Sequence, residues 1–497
     1  MPGFRPPRGT NDFLPDDMSL REHVEGVIVD SFKSYGYRRI QTPTFEEFEL
    51  LAARSGEEIR EKMFTFMCDN TEYALRPEWS APVSRLIASG RLAGLPKPYR
   101  LFYVGHCFRY ERPQAGRYRE FRQAGVELMG SPHPAADAEV MALAVRTVER
   151  IGLRDFRLKA GNIGIFRGIL DARGYDYDFQ SGLIGNIDDV MSVREKCEAI
   201  AAKAQLNDDD FRYVEGKLQD MYQIQDETGY EGEHEIIPQR RKATEEEARG
   251  WLERLPAVVE DTFRTMWLRR KNLPEDLAGL LLRISRVRGT SEEVMGEAEA
   301  LVEEPAARES LVKLERALKQ LEAYGIPGCQ VVLGVARGLD FYTDTVFEID
   351  FPGLGAQKQI CGGGRYDRLV EEFGGPATPA TGFAFGFDRL VEAYRLSGLE
   401  PPADRKAEIY VAAGADEYRV AAIELAEGLR RRLGKRVEVD VMRQDLKRQM
   451  GEAAAAGCDY VVLLMPDEMK RGEAIIRDMS AGEQRAVGLE KIYDELG

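Results

Sequence analysis

The chain is poor in histidine, with four among 497 residues: His23, His106, His133 and His234. They stand far apart and form no HExxH, which argues against a zinc hydrolase and leaves no metal motif in the protein. Cysteine is sparse too. The six residues Cys68, Cys107, Cys197, Cys329, Cys361 and Cys458 include no close pair, so no local CxxC redox or metal motif exists and a reducing compartment is expected. No run approaches the roughly 20 apolar residues that a membrane span requires. The stretch Met1 to Leu20, broken by Pro2, Pro6, Pro7, Asp12, Asp16 and Asp17, lacks the apolar core of a signal peptide, so a cytoplasmic address without a membrane partner is the expectation. Positive charge is also short. A net charge of −16 argues against a protein that coats nucleic acid indiscriminately.

Local positive charge is nevertheless present, and phosphate binding needs no more than that. His106 to Gln123 carries Arg109, Arg112, Arg117, Arg119 and Arg122 against Glu111 and Glu120. A second patch, Arg430-Arg431-Arg432 with Lys435 and Arg436, reads equally well as a solvated helix end or an RNA contact.

A chain this long exceeds one ordinary core, so about three domains are expected. Residues 1–169 mix helices and apolar strands. Arg21 to Tyr35 has a helical pattern ended by Gly36, and Arg38 to Pro43 is extended because the residue before proline avoids the helical basin. Tyr99 to Phe108 and Phe121 to Met129 are rich in aromatic and β-branched residues and predict buried strands. They are joined by the charged loop Arg109 to Glu120. Residues 170–325 are charged and helical in period, with helices predicted over Val193–Ala204, Ala248–Lys271 and Glu292–Tyr324; they read as a helical insertion without a catalytic constellation. Residues 326–398 return to strands and glycine. After Pro401-Pro402, strands and helices alternate, so 399–497 predicts a compact α/β domain.

Four segments carry chemistry. In Phe108-Arg109-Tyr110-Glu111, an arginine at a strand end offers a planar fork to a phosphate. Glu111, two residues on, is expected on the same side of an extended chain. Phe121 on the returning strand suits base stacking. In Leu75 to Pro82, Glu78 is placed to bind an ammonium group, while Ser80 either contributes to that site or caps the helix that follows. In Ala336 to Glu348, Arg337 precedes a tight glycine turn, the aromatic pair Phe341 and Tyr342, and a strand. In Gly382 to Leu390, Gly382 and Gly386 allow close backbone approach, and Arg389 begins a helix from which it can lie over a base or grip a phosphate.

Taken together and in this order, these segments resemble the histidyl-tRNA synthetase family of class II aminoacyl-tRNA synthetases. Phe108 to Glu127 resembles motif 2, Gly382 to Leu390 motif 3, Arg337 to Glu348 and Cys361 to Asp367 the two histidine-specific motifs, and Ile40 to Pro43 the dimer-forming motif 1. Lys447 to Gly457 and Gly472 to Gln484 are similar to the family's anticodon-binding domain. The resemblance covers nearly the whole chain except about 170–325. It implies an α/β fold: a catalytic core with an antiparallel sheet flanked by helices, a helical insertion and a C-terminal α/β domain.

The resemblance also implies an activity in two steps. Histidine reacts with ATP to give histidyl-adenylate and pyrophosphate, and the histidyl group then passes to the 3′ end of tRNA-His. Arg109 matches the holder of the ATP α-phosphate, with Arg337 opposite it. Glu111 and Phe121 match adenine contacts, and Arg389 matches the residue that stacks on adenine and touches the γ-phosphate. Glu78, Ser80 and Gln123 match the positions that hold the amino and carboxylate groups of histidine, and Glu127 with Tyr342 the pair that reads the imidazole. Trp79 and Phe341 complete the histidine pocket; Arg109, Arg337 and Gln123 form its catalytic set. Arg112 and Gln114 match positions near the tRNA acceptor end. Mg²⁺ with ATP and a homodimer through motif 1 are further implications. Trp79 stands where bacterial relatives commonly have glycine, Ser80 where they have threonine, and Arg122 where histidine is frequent. The alternative is a silent paralogue, the regulatory subunit of ATP phosphoribosyltransferase.

Overall fold

The structure, a computed structural model, describes residues 4–53, 57–111, 118–203, 205–227, 244–335, 341–355, 358–401 and 407–497. It divides into two compact units, 1–400 and 401–497.

The first unit contains β1 (Arg38–Arg39), β2 (Phe45–Glu47), β3 (Thr65–Cys68), β4 (Thr71–Leu75), β5 (Tyr99–Phe108), β6 (Glu120–Met129), β7 (Arg157–Asn162), β8 (Arg288–Gly289), β9 (Gln330–Val332), β10 (Thr345–Asp350), β11 (Gln359–Arg365) and β12 (Ala380–Gly386). Nine of these form one sheet in the order β1-β5-β6-β12-β11-β10-β7-β9-β8, and β2, β4 and β3 form a small separate sheet. From β5 to β7 every pairing is antiparallel. β1 runs parallel to β5, and β9 parallel to β7. The antiparallel core expected from sequence is therefore present.

One face of this sheet is closed by the helix Pro134–Ile151, which packs on β12 and against the helices Pro15–Ser34 and Pro305–Ala323. Its alanines explain the close fit: Ala138, Ala142 and Ala144 have no exposed surface. The helix Pro15–Ser34 ends where Gly36 adopts φ +81, a conformation that suits glycine, with its N–H bonded to the Lys33 carbonyl.

Within 170–325 lie the helices Tyr177–Ala201, Asp208–Glu227 and Glu245–Arg270, which pack on one another, followed by Glu275–Arg286. The third begins with a capping box between Thr244 and Glu247. Its Trp251 and Trp267 are buried, and the Trp267 indole donates to Asn186 Oδ1 at 3.2 Å. The single helix expected over Glu292–Tyr324 is two, Ser291–Leu301 and Pro305–Ala323. Pro305 has no N–H to continue a helix but suits the first turn of a new one.

The second unit holds β13 (Ile409–Ala413), β14 (Val437–Val439), β15 (Tyr460–Leu464), β16 (Glu473–Asp478) and β17 (Gln484–Gly488), in the order β14-β13-β15-β16-β17. The first three pair in parallel and the last two add antiparallel. Alternate residues of β13 feed two cores. Ile409, Val411 and Ala413 join Leu425 and Leu429 of the helix Arg419–Leu433, and Tyr410 and Ala412 join Ala453 of the helix Leu446–Ala455. Among the described residues, no helix is long and apolar enough to cross a membrane.

Candidate active site

The β5–β6 hairpin and β12 build one wall of a cleft of about 340 Å³. Register places Gln123 between Gly105 of β5 and Gly386 of β12, and Glu127 beside Gly382. A Cβ on Gly382 would collide with the Glu127 carboxylate and the Val126 carbonyl, so the glycine is what lets this carboxylate sit beneath the strand.

Of the residues singled out from sequence, Glu78, Trp79, Ser80, Arg109, Glu111, Phe121, Gln123, Tyr342 and Arg389 line this one cleft. Glu127 lies behind the lining with no exposed surface. Phe341 is buried beside it, its ring 4.9 Å from that of Tyr342 and 5.5 Å from that of Tyr366. Arg337, Arg112 and Gln114 lie outside the described residues.

The Glu127 carboxylate accepts hydrogen bonds from Ser80 Oγ (2.9 Å), the Tyr103 hydroxyl (3.3 Å) and the Tyr366 hydroxyl. Burial pushes its pKa up to about 8 against the pull of these donors, and the neighbouring Glu78 carboxylate adds to the rise. Glu78 is buried and also raised, again by burial first. It accepts from the backbone N–H groups of Ser80 and of Ala81 (2.9 Å) at the start of the helix Ser80–Ala88. Glu78, not Ser80, therefore meets the open N–H groups of that helix, and the Ser80 hydroxyl is spent on Glu127. Geometry explains the exchange: the N-cap position falls on Trp79, which has no side-chain acceptor.

Trp79 is fully buried. Its ring stacks on Tyr103 at 4.6 Å and lies 3.5 Å from the Arg76 guanidinium carbon. It sits over Gly105, where a Cβ would strike the indole. Arg122 points its guanidinium to Glu25 at 2.6 Å and over the Phe387 ring. Cys361 is buried within β11, and burial pushes the Cys107 thiol up to about 12, so neither offers a nucleophile.

Arg109 and Glu111 reach the cleft by a turn rather than by strand alternation. β5 stops at Phe108, and the Glu111 N–H bonds back to the Arg109 carbonyl at 2.9 Å. The Arg109 Nε donates to the Pro77 carbonyl at 3.0 Å, and its guanidinium carbon lies 5.4 Å from the Phe121 ring centre. Arg389 reaches in from the helix Phe387–Leu396 and donates to the Gln359 carbonyl at 2.6 Å. Gln359 is in turn held by Glu348 Oε2 at 3.0 Å.

Tyr366, Tyr103 and Asp388 were not singled out from sequence. Tyr366 had a signal: with Gly362 and Gly364 it shares one face of an extended segment, and Gly364 pairs with Gly382 beside Glu127. Asp388 anchors the wall by accepting from Arg21 at 2.5 Å and from the Arg122 N–H at 2.8 Å.

The cleft thus brings two arginines together with a buried carboxylate ringed by hydroxyls, over an antiparallel sheet. This is the arrangement of a class II aminoacyl-tRNA synthetase core. Comparison with known proteins narrows the class. The family model described as histidyl-tRNA synthetase matches residues 9–231 and 236–390, and that of the anticodon binding domain matches 408–497. The histidine–tRNA ligase of Archaeoglobus fulgidus is 36% identical over 491 residues, covering 99% of this chain and 98% of that protein. The ligase of Methanocaldococcus jannaschii is 34% identical, covering 98% of each chain. Among solved structures, the histidyl-tRNA synthetase from Nostoc sp. PCC 7120 matches the fold with a TM-score of 0.66 at 21% identity, over 99% of both chains. The chain belongs to the histidyl-tRNA synthetase family. Its full-length relatives are histidine–tRNA ligases, so the regulatory-subunit alternative is not favoured.

Proposed function

We propose that this cleft binds histidine and ATP side by side, joins them as histidyl-adenylate, and transfers the histidyl group to tRNA-His. The observation that carries this reading is the Glu127 carboxylate, buried among Ser80, Tyr103 and Tyr366, with Arg109 and Arg389 lining the same cleft. A buried acceptor flanked by phenols suits an imidazole, whose ring nitrogens need polar partners, and rejects apolar side chains that would strand those groups.

The histidine carboxylate attacks the α-phosphorus of ATP. A new O–P bond forms, the bond to the bridging oxygen breaks, and pyrophosphate leaves. Arg109 and Arg337 stabilise the charge that builds on the equatorial oxygens. Gln123, beside Gly105 and Gly386, and Glu78 orient the carboxylate and ammonium groups of histidine. Phe121, Glu111 and Arg389 hold the adenine and outer phosphates. Among the described residues, no group of three His, Cys, Asp or Glu side chains can hold a metal. ATP would bring Mg²⁺ with it, since that ion binds through substrate phosphates and needs only one or two carboxylates from a protein. In the second step a tRNA 3′-terminal hydroxyl attacks the adenylate carbonyl and AMP leaves, with Arg112 and Gln114 near the acceptor end.

The segment 170–325 is an insertion between the core parts 1–169 and 326–398. In support, β7 and β9, which flank most of it, are neighbours in the sheet. The homodimer forms through the motif 1 region. Supporting this, β1 is an exposed edge strand, and Phe45, Phe66 and Met67 of the small sheet are exposed. A cytoplasmic location is supported by six cysteines that form no disulfide with one another. The test of the activation step is histidine-dependent ATP–pyrophosphate exchange by Arg337→Ala and Glu127→Ala. Loss of exchange in both folded variants is expected; near-normal exchange in either contradicts the assignment.

A further inference from the structure

Tyr342 sits on a short segment entering β10, and the structure shows what holds that segment from behind. Its carbonyl accepts from two nitrogens of Arg167, Nε at 3.3 Å and Nη2 at 3.1 Å. Arg167 belongs to the helix Gly164–Ala172 and is buried, 8% exposed. Further contacts reach the first turns of the next helix, Tyr177–Ala201: Gln180 Oε1 at 3.4 Å, Ser181 Oγ at 3.3 Å, and the Tyr177 ring, 4.1 Å from the guanidinium carbon. Arg368, two residues beyond Tyr366, also lies over the Tyr177 ring, at 4.4 Å.

Packing buries Tyr342 and Asp344, each 6% exposed, but leaves a cavity beside the segment. Thr343 and Asp344 face Tyr177 and Gln180 across a cavity of about 480 Å³ that Arg167 also lines. A segment beside a cavity depends on directional bonds for its position: the Thr343 N–H donates to the Arg365 carbonyl at 2.8 Å, and Arg167, itself held by acceptors on the next helix, bonds the Tyr342 carbonyl.

We infer that Arg167 is a positioning residue for the histidine site: it sets Tyr342 through the Tyr342 carbonyl, and the start of the helix Tyr177–Ala201 sets Arg167. This couples the first turns of the helical segment to amino-acid recognition, without any residue of that segment touching histidine. The inference rests on the reading of Tyr342 as a histidine contact.

The test is steady-state ATP–pyrophosphate exchange on the full chain, with KM for histidine and KM for ATP measured separately. Arg167→Met is expected to raise KM for histidine about tenfold while KM for ATP stays within about twofold. Arg167→Lys, which can still donate to the carbonyl, is expected to recover part of the loss. Tyr177→Leu removes the ring and leaves the arginine, and a rise of about threefold in KM for histidine is expected. It also serves as the second variant if Arg167→Met does not fold.

On a Tyr342→Ala background, Arg167→Met is expected to add little, because the two act through one element. Additive effects, an equal rise in KM for ATP, or unchanged KM for histidine in Arg167→Met and Tyr177→Leu overturn the inference. Tyr342→Phe and Tyr342→Ala alone check the underlying reading. If neither moves KM for histidine, that reading fails. If they do and the Arg167 variants do not, only the positioning role fails.

Discussion

Replacing Glu127 by glutamine keeps the shape of the side chain and removes its ability to ionise. In the parent, Ser80 and Tyr103 donate to one carboxylate oxygen and Tyr366 donates to the other. The amide leaves a single acceptor and places an NH₂ group where donors already point. It also removes the acid that can pass its proton to a bound imidazole and so become its charged partner. A hydrogen bond to a charged group contributes about 1.5–3 kcal/mol, and each 1.36 kcal/mol is tenfold in rate, so kcat/KM for histidine is expected to fall about 10- to 150-fold. Arg109, Phe121 and Arg389 are the residues proposed to hold ATP, so KM for ATP is expected to change less than about threefold. The assay is ATP–pyrophosphate exchange with each substrate varied in turn, on a variant whose melting curve and circular dichroism match the parent. A kcat/KM for histidine within about threefold of the parent, or a KM for ATP raised as much as that for histidine, refutes the reasoning.

The same carboxyl makes stability depend on pH. Its pKa is raised from 4.5 to about 8 by burial, so the folded protein binds more protons at this group than the unfolded chain between those limits, and stability falls as pH rises through that window. The melting temperature of the parent is expected to drop relative to Glu127→Gln between pH 5 and pH 8; an opposite trend contradicts the burial account. Arg389→Ala is expected to raise KM for ATP at least tenfold and to leave KM for histidine within about twofold, measured in the exchange reaction. Gly382→Ala puts a methyl group against the Glu127 carboxylate and the Val126 carbonyl. It is expected to lower stability by about 1–3 kcal/mol in urea melts and to impair histidine use more than ATP use; a stable variant with normal histidine kinetics contradicts the described register.

Much of the cleft's lining was legible because its residues cluster in short segments whose local patterns are strong. The strands Tyr99–Phe108 and Glu120–Met129 follow from runs of aromatic and β-branched residues, and the charged loop between them marks the hairpin. The turn at Arg109–Glu111 was not legible, since the bond from the Glu111 N–H to the Arg109 carbonyl leaves no compositional trace. Ser80 was open to two readings, a contact in the ammonium site or a helix cap, because serine serves as either. Only the fold shows that Glu78 reaches the N–H groups first and that Glu127 claims the hydroxyl. Tyr366 needed the strand register that aligns Gly364 with Gly382 and Gly382 with Glu127, a long-range pairing outside the reach of local pattern. The strands Glu473–Asp478 and Gln484–Gly488 were not read as strands because their polar residues mask the alternation. The role of Arg167 was invisible for a related reason: it acts on a carbonyl 175 residues away.

The most direct test of the central claim is ATP–pyrophosphate exchange by the purified chain with each of the twenty amino acids in turn, followed by charging of total tRNA with the amino acid that responds. Exchange with histidine alone, and histidine appearing on tRNA-His alone, is the result this account predicts. Exchange with another amino acid, or none with histidine, contradicts it.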